Sequence, residues 1–419
     1  MLPVPGRIRG GLMQVNFARL KRDLEDLGAI GRTPEGGVAR PSWSDADMAA
    51  RRWLLARIEA AGMEAQVDPA GNILARWQPG SPVVLVGSHL DSVPNGGILD
   101  GALGVLAGLE CLRRIKETAV TLRSPLELAA FTDEEGAFGG FFGSYAFTGA
   151  LRPEAIPAIV DSSGQRIVDA MARHGMDALR APSAARDPRG IHAYVELHIE
   201  QGPVLESRRI PIGVVEGIVG IYRYGITFRG RADHAGTTPM QERKDAFLGA
   251  AELALRGHDF VRSKGTPASR MTVGIVRVKP GVGNIVPAEA YLTYELREQS
   301  REMLQRLSAE SRGLAAEIAR SRGLEVVVET ILDIDPVPMS SLVVDAVVHA
   351  AGTLGLQSLR MPAMAGHDAQ VLGKVAPAGM IFVPSRDGRS HSPLEFTADE
   401  DIERGANVLL QTLLHLASG

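Results

Sequence analysis

His89, Asp91 and Asp100, then Asp133-Glu134-Glu135, His198 and His391, are the side chains of this sequence best suited to chemistry. Each stands in a short segment beside Gly, Ser or Pro, or just past an apolar strand-like run. Taken singly, a histidine or an acidic pair is most often a solvated or internally satisfied structural group. His174, His192, His258, His349 and His415, in ordinary surroundings, are read that way. Repetition of such groups at successive strand ends favours ligands instead. Imidazoles mixed with carboxylates suit zinc, manganese, cobalt or nickel. Two such ions about 3.5–4 Å apart need a bridging carboxylate and ligands on either side. Hydrolysing an unactivated amide at neutral pH needs hydroxide, which coordination supplies by lowering the pKa of water from about 15.7 to about 7. A further, unligated carboxylate is then wanted to take the water's proton and return it to the leaving nitrogen. The adjacent Glu134 and Glu135 are suited to supply one base and one ligand.

The elements that must position these groups are legible in the apolar pattern. Phe17, Leu20, Leu24 and Leu27 recur at helical spacing, and a second helix starts at Ser44, with Asp45 and Asp47 in its first turn, and stops at Gly62. Two strand-like runs flank the turn at 68–72, followed by an apolar strand over 82–87, a helix over about 101–116, and apolar runs at 126–132 and 194–197. Strands alternating with helices imply a mostly parallel sheet covered on both faces, with functional groups just past the carboxyl ends of its strands. The middle of the chain reads strand 218–229, helix 241–262, strands 271–278 and 288–297, helix 300–322 and strand 324–332, the βαββαβ order of a ferredoxin-like unit. The alternation then resumes and ends in an amphipathic helix over about 398–417. The expected architecture is α/β: a catalytic domain from residues 1–213 and 331–419, with residues 214–330 inserted as a second domain.

Length and composition agree with two globular domains. The 419 residues are 45% hydrophobic and 22% charged, with a net charge of −4, which gives no general attraction to nucleic acid or anionic membrane. The lone cysteine, Cys111, sits in an apolar stretch and forms no internal disulfide, as suits a buried residue in a reducing cytoplasm. The first fourteen residues lack an apolar leader, and no apolar run reaches the ~18 residues of a membrane span.

Six segments carry a resemblance: GSHLDSVPNGGILDG (87–101), FTDEEG (131–136), ELHIEQGP (196–203), ADHAGTTPM (232–240), GHDA (366–369) and PSRDGRSHSPLEFT (384–397). Together and in this order they resemble the M20-type metallopeptidase superfamily, and within it the hydantoinase/carbamoylase branch of N-carbamoyl-L-amino acid hydrolases, β-ureidopropionases and allantoate amidohydrolases. The resemblance implies two divalent ions per subunit held by His89, Asp100, Glu135, His198 and His391, with Asp100 bridging. It implies Glu134 as general base and Asp91 as the carboxylate that orients His89. His234 would donate to the oxyanion of the tetrahedral intermediate, Asn284 and Arg297 would hold the substrate's carboxylate, Gln201 would contact the ureido group, and Gly366 would line the substrate site. The inserted domain is implied to close over the substrate, hinging near 211–217 and 333–338, and to pair subunits as a homodimer.

Three departures bear on the substrate. Residues 137–142, Ala-Phe-Gly-Gly-Phe-Phe, are shorter than the corresponding family segment and lack its arginine. Ala363-Met364-Ala365 stands where Ser-Gly-Ala is common, and Glu295 where Asp is common. The apolar residues Phe138, Phe141, Phe142 and Met364 suggest room for an apolar side chain, with core packing as their alternative role. The expected reaction is hydrolysis of an N-carbamoyl amino acid to amino acid, CO2 and ammonia. Allantoate amidohydrolase, aminoacylase or dipeptidase are the rival activities, and a metal-binding protein without catalysis would be expected to have lost Glu134 or a ligand.

Overall fold

The computed structural model of the protein describes residues 7–8 and 11–418. The expectation that no apolar leader stands at the N-terminus rests on residues most of which lie outside those described. The chain divides into two compact units, one from residues 1–216 and 339–419, the other from residues 217–338.

In the first part of the chain, helices Phe17–Gly28 and Asp45–Ala60 begin at Asn16 and Ser44, whose side chains accept hydrogen bonds from the amides of Arg19 and Asp47. These caps satisfy amides that have no partner inside the helix. Strands β1 (Glu64–Val67) and β2 (Ile73–Arg76) form a hairpin. Then come β3 (Val83–His89), helix Ala102–Thr118, β4 (Leu126–Phe131), β5 (Ile191–Ile199) and β6 (Ile212–Ile218). Every residue of β3 and β4 is buried, as expected for strands covered on both faces. Between β4 and β5 the apolar pattern predicts no element. The structure has short helices there, among them Phe142–Phe147 and Ile167–Ala172, with Pro157 and Pro182 inside 3-10 turns. Helices this short show no full amphipathic period to read.

The inserted unit runs β7 (Gly220–Arg229), helix Ala246–Lys264, β8 (Arg270–Thr272), β9 (Val276–Lys279), β10 (Glu289–Glu298), helix Arg301–Arg322, β11 (Glu325–Ile334) and β12 (Val337–Pro338). β8 and β9 both pair with β10, and the antiparallel order continues β10-β7-β11, so the ferredoxin-like expectation holds. The expected strand 271–278 is split, and the side-chain hydroxyl of Thr293 takes up the amide of Ile275 in the gap. The helix expected from 241 begins instead at Ala246, where Asp245 caps the amides of Phe247 and Leu248. On β10, alternate residues Ala290, Leu292, Tyr294 and Leu296 pack in the core of the inserted unit, while Glu295 and Arg297 point to the other face.

The chain returns through helix Ser341–Thr353, β13 (Ser358–Ala363), helix Asp368–Leu372, β14 (Ala378–Val383) and helix Asp399–Ser418. The large sheet orders β6-β14-β5-β3-β4-β2-β1, with β13 beside β6 and Val337 of β12 against Ile218. Its four central strands are parallel and its margins antiparallel. The register brings the carboxyl ends of those four strands level: His89 pairs with Phe131, and His198 with Phe382. Cys111 is buried in the helix behind them. Among the described residues no helix is long and apolar enough to cross a membrane.

Candidate metal centre

The four level strand ends deliver their polar residues to one place. Asp100, in the turn before helix Ala102–Thr118, is the hub. Its Oδ1 lies 3.1 Å from His198 Nε2 and 3.8 Å from His89 Nε2, and its Oδ2 lies 3.4 Å from His391 Nε2. Glu135 Oε2 is 3.3 Å from the same His391 nitrogen. Two donor sets thus share one carboxylate, His89–Asp100–His198 and Asp100–Glu135–His391, each with its ligand atoms within 4.8 Å of one another. Glu134 reaches to 3.5 Å from His89 Nε2. The close approach depends on Gly101, whose φ is +66° and whose Cβ, were there one, would lie 2.3 Å from the His89 ring.

The buried imidazoles are oriented for ligation. Nδ1 of His89 donates to the backbone carbonyl of Asp91 at 3.0 Å, and Nδ1 of His198 to that of Ile199 at 2.9 Å, which turns each Nε2 toward Asp100. The carboxylate of Asp91 is 3.9 Å from His89 Nδ1. It accepts instead from the amides of Glu134 and Glu135, at 3.4 and 3.1 Å. Asp91 therefore steadies His89 through its main chain and the two glutamates through its side chain.

The electrostatics show what this arrangement lacks in protein alone. Burial, followed by the charges of Glu135, Asp368, Asp91 and Asp100, holds Glu134 well above the usual carboxylate range. Burial, then Asp100 and Asp91, pushes Glu135 up to about 9. Burial works against charge on His198 too, but the bond and charge of Asp100 carry it to about 9. Crowded carboxylates raise one another in this way. His89 Nε2 and Glu135 Oε1 are buried without a hydrogen-bond partner. A divalent ion would satisfy those atoms and relieve the repulsion, so the donor set fits metal binding.

Of the other expected site residues, Gln201 joins this centre. Its Nε2 donates to Asp100 Oδ2 at 2.8 Å and its Oε1 is buried without a partner. Gly366 stands directly before His367, whose ring lies 4.4 Å from that of His198. His234, Asn284 and Arg297 belong to the inserted unit. His234 Nδ1 accepts from the amides of Gly236 and Thr237, at 3.0 and 3.2 Å, so the ring proton resides on Nε2. The amide of Ala235 donates to the Asn284 carbonyl at 2.9 Å, and a bridge joins His234 to Ile285, beyond the Arg229–Glu289 end of the β7–β10 ladder. Arg297 pairs with Ile221 at the opposite end, its Nε donating to Glu295 at 2.8 Å, and Arg223 binds the same carboxylate. The ladder from Glu289 to Arg297 alone separates these ends by about 26 Å at ~3.3 Å per residue.

Residues 85–415 match peptidase family M20/M25/M40. The chain is 41% identical to an N-carbamoyl-L-amino acid amidohydrolase of Geobacillus stearothermophilus, covering 96% of this chain and 98% of that one. It is 35% identical to an allantoate amidohydrolase of Bacillus subtilis over 94% and 96% of the two chains. A hydantoinase/carbamoylase family amidase from Burkholderia multivorans superposes with a TM-score of 0.89 at 38% identity, covering 97% of this chain and 99% of that one. The chain belongs to peptidase family M20, in its hydantoinase/carbamoylase branch. It is an amidohydrolase by that membership, with clusters of His, Asp and Glu able to hold metal ions.

Two further acidic residues support the centre, and their roles are visible only in the fold. Glu395 is buried among the candidate ligands. One of its oxygens accepts from the amides of Leu99 and Asp100, at 2.9 and 3.2 Å, and the other lies 3.2 Å from Ser390 Oγ. Ser390 gives its one hydroxyl proton to Asp100 Oδ2 at 2.6 Å. Glu395 therefore ties the Asp100 turn to the His391 loop. Behind His198, Glu196 accepts from Ser88, Tyr194 and the amide of Ala369. Glu395 lies in the 384–397 motif and Glu196 begins the 196–203 motif, but neither signals its amide partners, which lie 173 to 296 residues away in sequence. Replacing Glu395 with alanine is expected to weaken metal affinity by about 10- to 100-fold, as loss of such an outer support does. Metal titration by calorimetry checks it, and unchanged affinity would show that the turn holds itself.

Proposed function

We propose that this protein hydrolyses the carbamoyl group of an N-carbamoyl amino acid, giving the amino acid, CO2 and ammonia. The observation that carries the reading is the pair of donor sets sharing Asp100, with Glu134 beside them. His89, His198 and Asp100 would hold one ion, and Asp100, Glu135 and His391 the other. Bound there, two divalent ions of the zinc, manganese, cobalt or nickel kind lower the pKa of a water and polarise the carbonyl. Glu134 receives the proton of the attacking water and delivers it to the departing nitrogen as the C–N bond breaks. The Nε2–H of His234 donates to the developing oxyanion, the guanidinium of Arg297 with Asn284 binds the substrate's carboxylate, and the unpartnered Oε1 of Gln201 accepts from the ureido N–H. Gly366, in the loop that leads into His367, lines the substrate site beside them. The buried, unpaired Cys111 supports a cytoplasmic location.

A small ureido acid cannot span the ~26 Å between the His234 and Arg297 ends of one inserted unit. We infer that one site takes these two residues from different chains, in a homodimer paired through this unit. Supporting this, Leu248 and Leu255 on helix Ala246–Lys264, and Val276 on β9, are 43%, 72% and 51% exposed. The test of the activity is ammonia release from N-carbamoyl-L- and D-amino acids, N-carbamoyl-β-alanine and allantoate, with each metal supplied after chelation. Turnover of N-carbamoyl-L-amino acids, lost on chelation and restored by metal, is expected. Release from allantoate alone would overturn the substrate assignment, and turnover only of acylated amino acids or peptides would replace it with an aminoacylase or dipeptidase.

A further inference from the structure

The shortened segment after Glu135 places one aromatic ring apart from its neighbours. Phe138, Phe142 and Phe147 are 4%, 2% and 1% exposed. Phe138 and Phe142 belong to a core cluster with Trp43 and Ile156, so for them packing is the role. Phe141 is only half-buried, as is Tyr145, whose ring meets it edge-on at 6.0 Å. The backbone is arranged to hold Phe141 there. Gly139, Gly140 and Phe141 have φ values of +109°, +86° and +58°, and Asp133 grips the turn through the amides of Phe138 and Gly140. A bulky residue at positive φ is an outlier that persists where its surroundings impose it, and such outliers cluster at functional sites.

The ring reaches the other loop of the metal centre. Its Cζ lies 2.8 Å from where a Cβ on Gly366 would stand, and Gly366 precedes His367, packed on His198. Phe141 thus bridges the loop bearing Glu134 and the loop bearing Gly366, an apolar face at the edge of an otherwise charged site. Resting on the carbamoylase reading, we infer that Phe141, backed by Tyr145, is the wall that receives the substrate's side chain and selects apolar amino acids. A second ureido group, as in allantoate, would lose its water against these rings without gaining a hydrogen bond.

The experiment compares kcat/KM for N-carbamoyl-L-methionine and N-carbamoylglycine in the wild type, Phe141→Ala, Phe141→Leu and Gly366→Ala, each checked for fold by circular dichroism. The methionine-to-glycine ratio is expected to fall by about tenfold or more in Phe141→Ala, the scale of discrimination by an apolar pocket. It should fall less in Phe141→Leu, and fall in Gly366→Ala, whose new methyl displaces the ring. A structural role alone would lower both substrates together and leave the ratio unchanged, which overturns the assignment of Phe141 while the carbamoylase reading stands. Should Phe141→Ala fail to fold, the ratios of Phe141→Leu and Gly366→Ala decide: a fall in both supports the wall, and unchanged ratios overturn it. If the wild type turns over no N-carbamoyl amino acid, the parent reading falls and the wall with it.

Discussion

Replacing Glu134 with glutamine is expected to lower kcat by about 10²–10⁴-fold, the usual contribution of a general base, with metal content unchanged. Glutamine keeps the shape and one acceptor oxygen but cannot receive a proton. The amide of residue 134 still bonds Asp91, and the two sets that share Asp100 are complete without Glu134, so the fold of the loop and the metal load should persist. Single-turnover ammonia release, read beside metal analysis of the same sample, separates the possibilities. Surviving turnover would shift the base elsewhere. Loss of an ion would make Glu134 a ligand and leave Glu135 as the candidate base. The matching change at Glu135 is expected to do the opposite, releasing metal together with activity, because its Oε2 faces His391 at 3.3 Å.

The parts of this protein that read directly from its sequence are those set by local pattern. Mainly apolar runs ending in His89, Asp133 and His198 announce buried parallel strands with polar ends, and the fold needs only level register to gather them. The inserted unit is equally plain because each of its two long helices shows several amphipathic turns. What escaped depends on partners far away in sequence. Glu395 looks like any loop glutamate until the fold supplies the amides of Leu99 and Asp100. Asp91 was expected to meet His89 with its carboxylate, whereas its backbone carbonyl takes that bond and the carboxylate turns to the next loop. Nor does spacing separate Phe141 from Phe138 and Phe142: all three are apolar, and only the three successive positive-φ residues at 139–141 turn one ring out of the core.

Mixing His234→Ala with Arg297→Ala is expected to restore activity that neither variant has alone. The first removes an oxyanion donor, a loss of about 10²–10³ in kcat, and the second removes the carboxylate clamp and raises KM. If one site takes His234 from one chain and Arg297 from the other, a mixed dimer has one site with both residues intact and one with neither. Random pairing at equal amounts makes half the dimers mixed, so recovery approaches roughly one quarter of wild-type activity. This arithmetic does not depend on which of the two residues shares a chain with the metals. It depends only on their lying at opposite ends of one β7–β10 ladder, His234 past the Arg229–Glu289 pair and Arg297 opposite Ile221. Co-expression with two affinity tags isolates the mixed dimer, whose one intact site of two is expected to give about half the wild-type rate per dimer, measured beside each parent. Were both residues of one chain to serve the same site, every site in the mixed dimer would lack one of them and no activity would return. That outcome would require the inserted unit to bend so that the ends of a continuous antiparallel ladder meet over one small substrate, which its core of Tyr222, Tyr224, Leu292 and Tyr294 packed against two helices opposes.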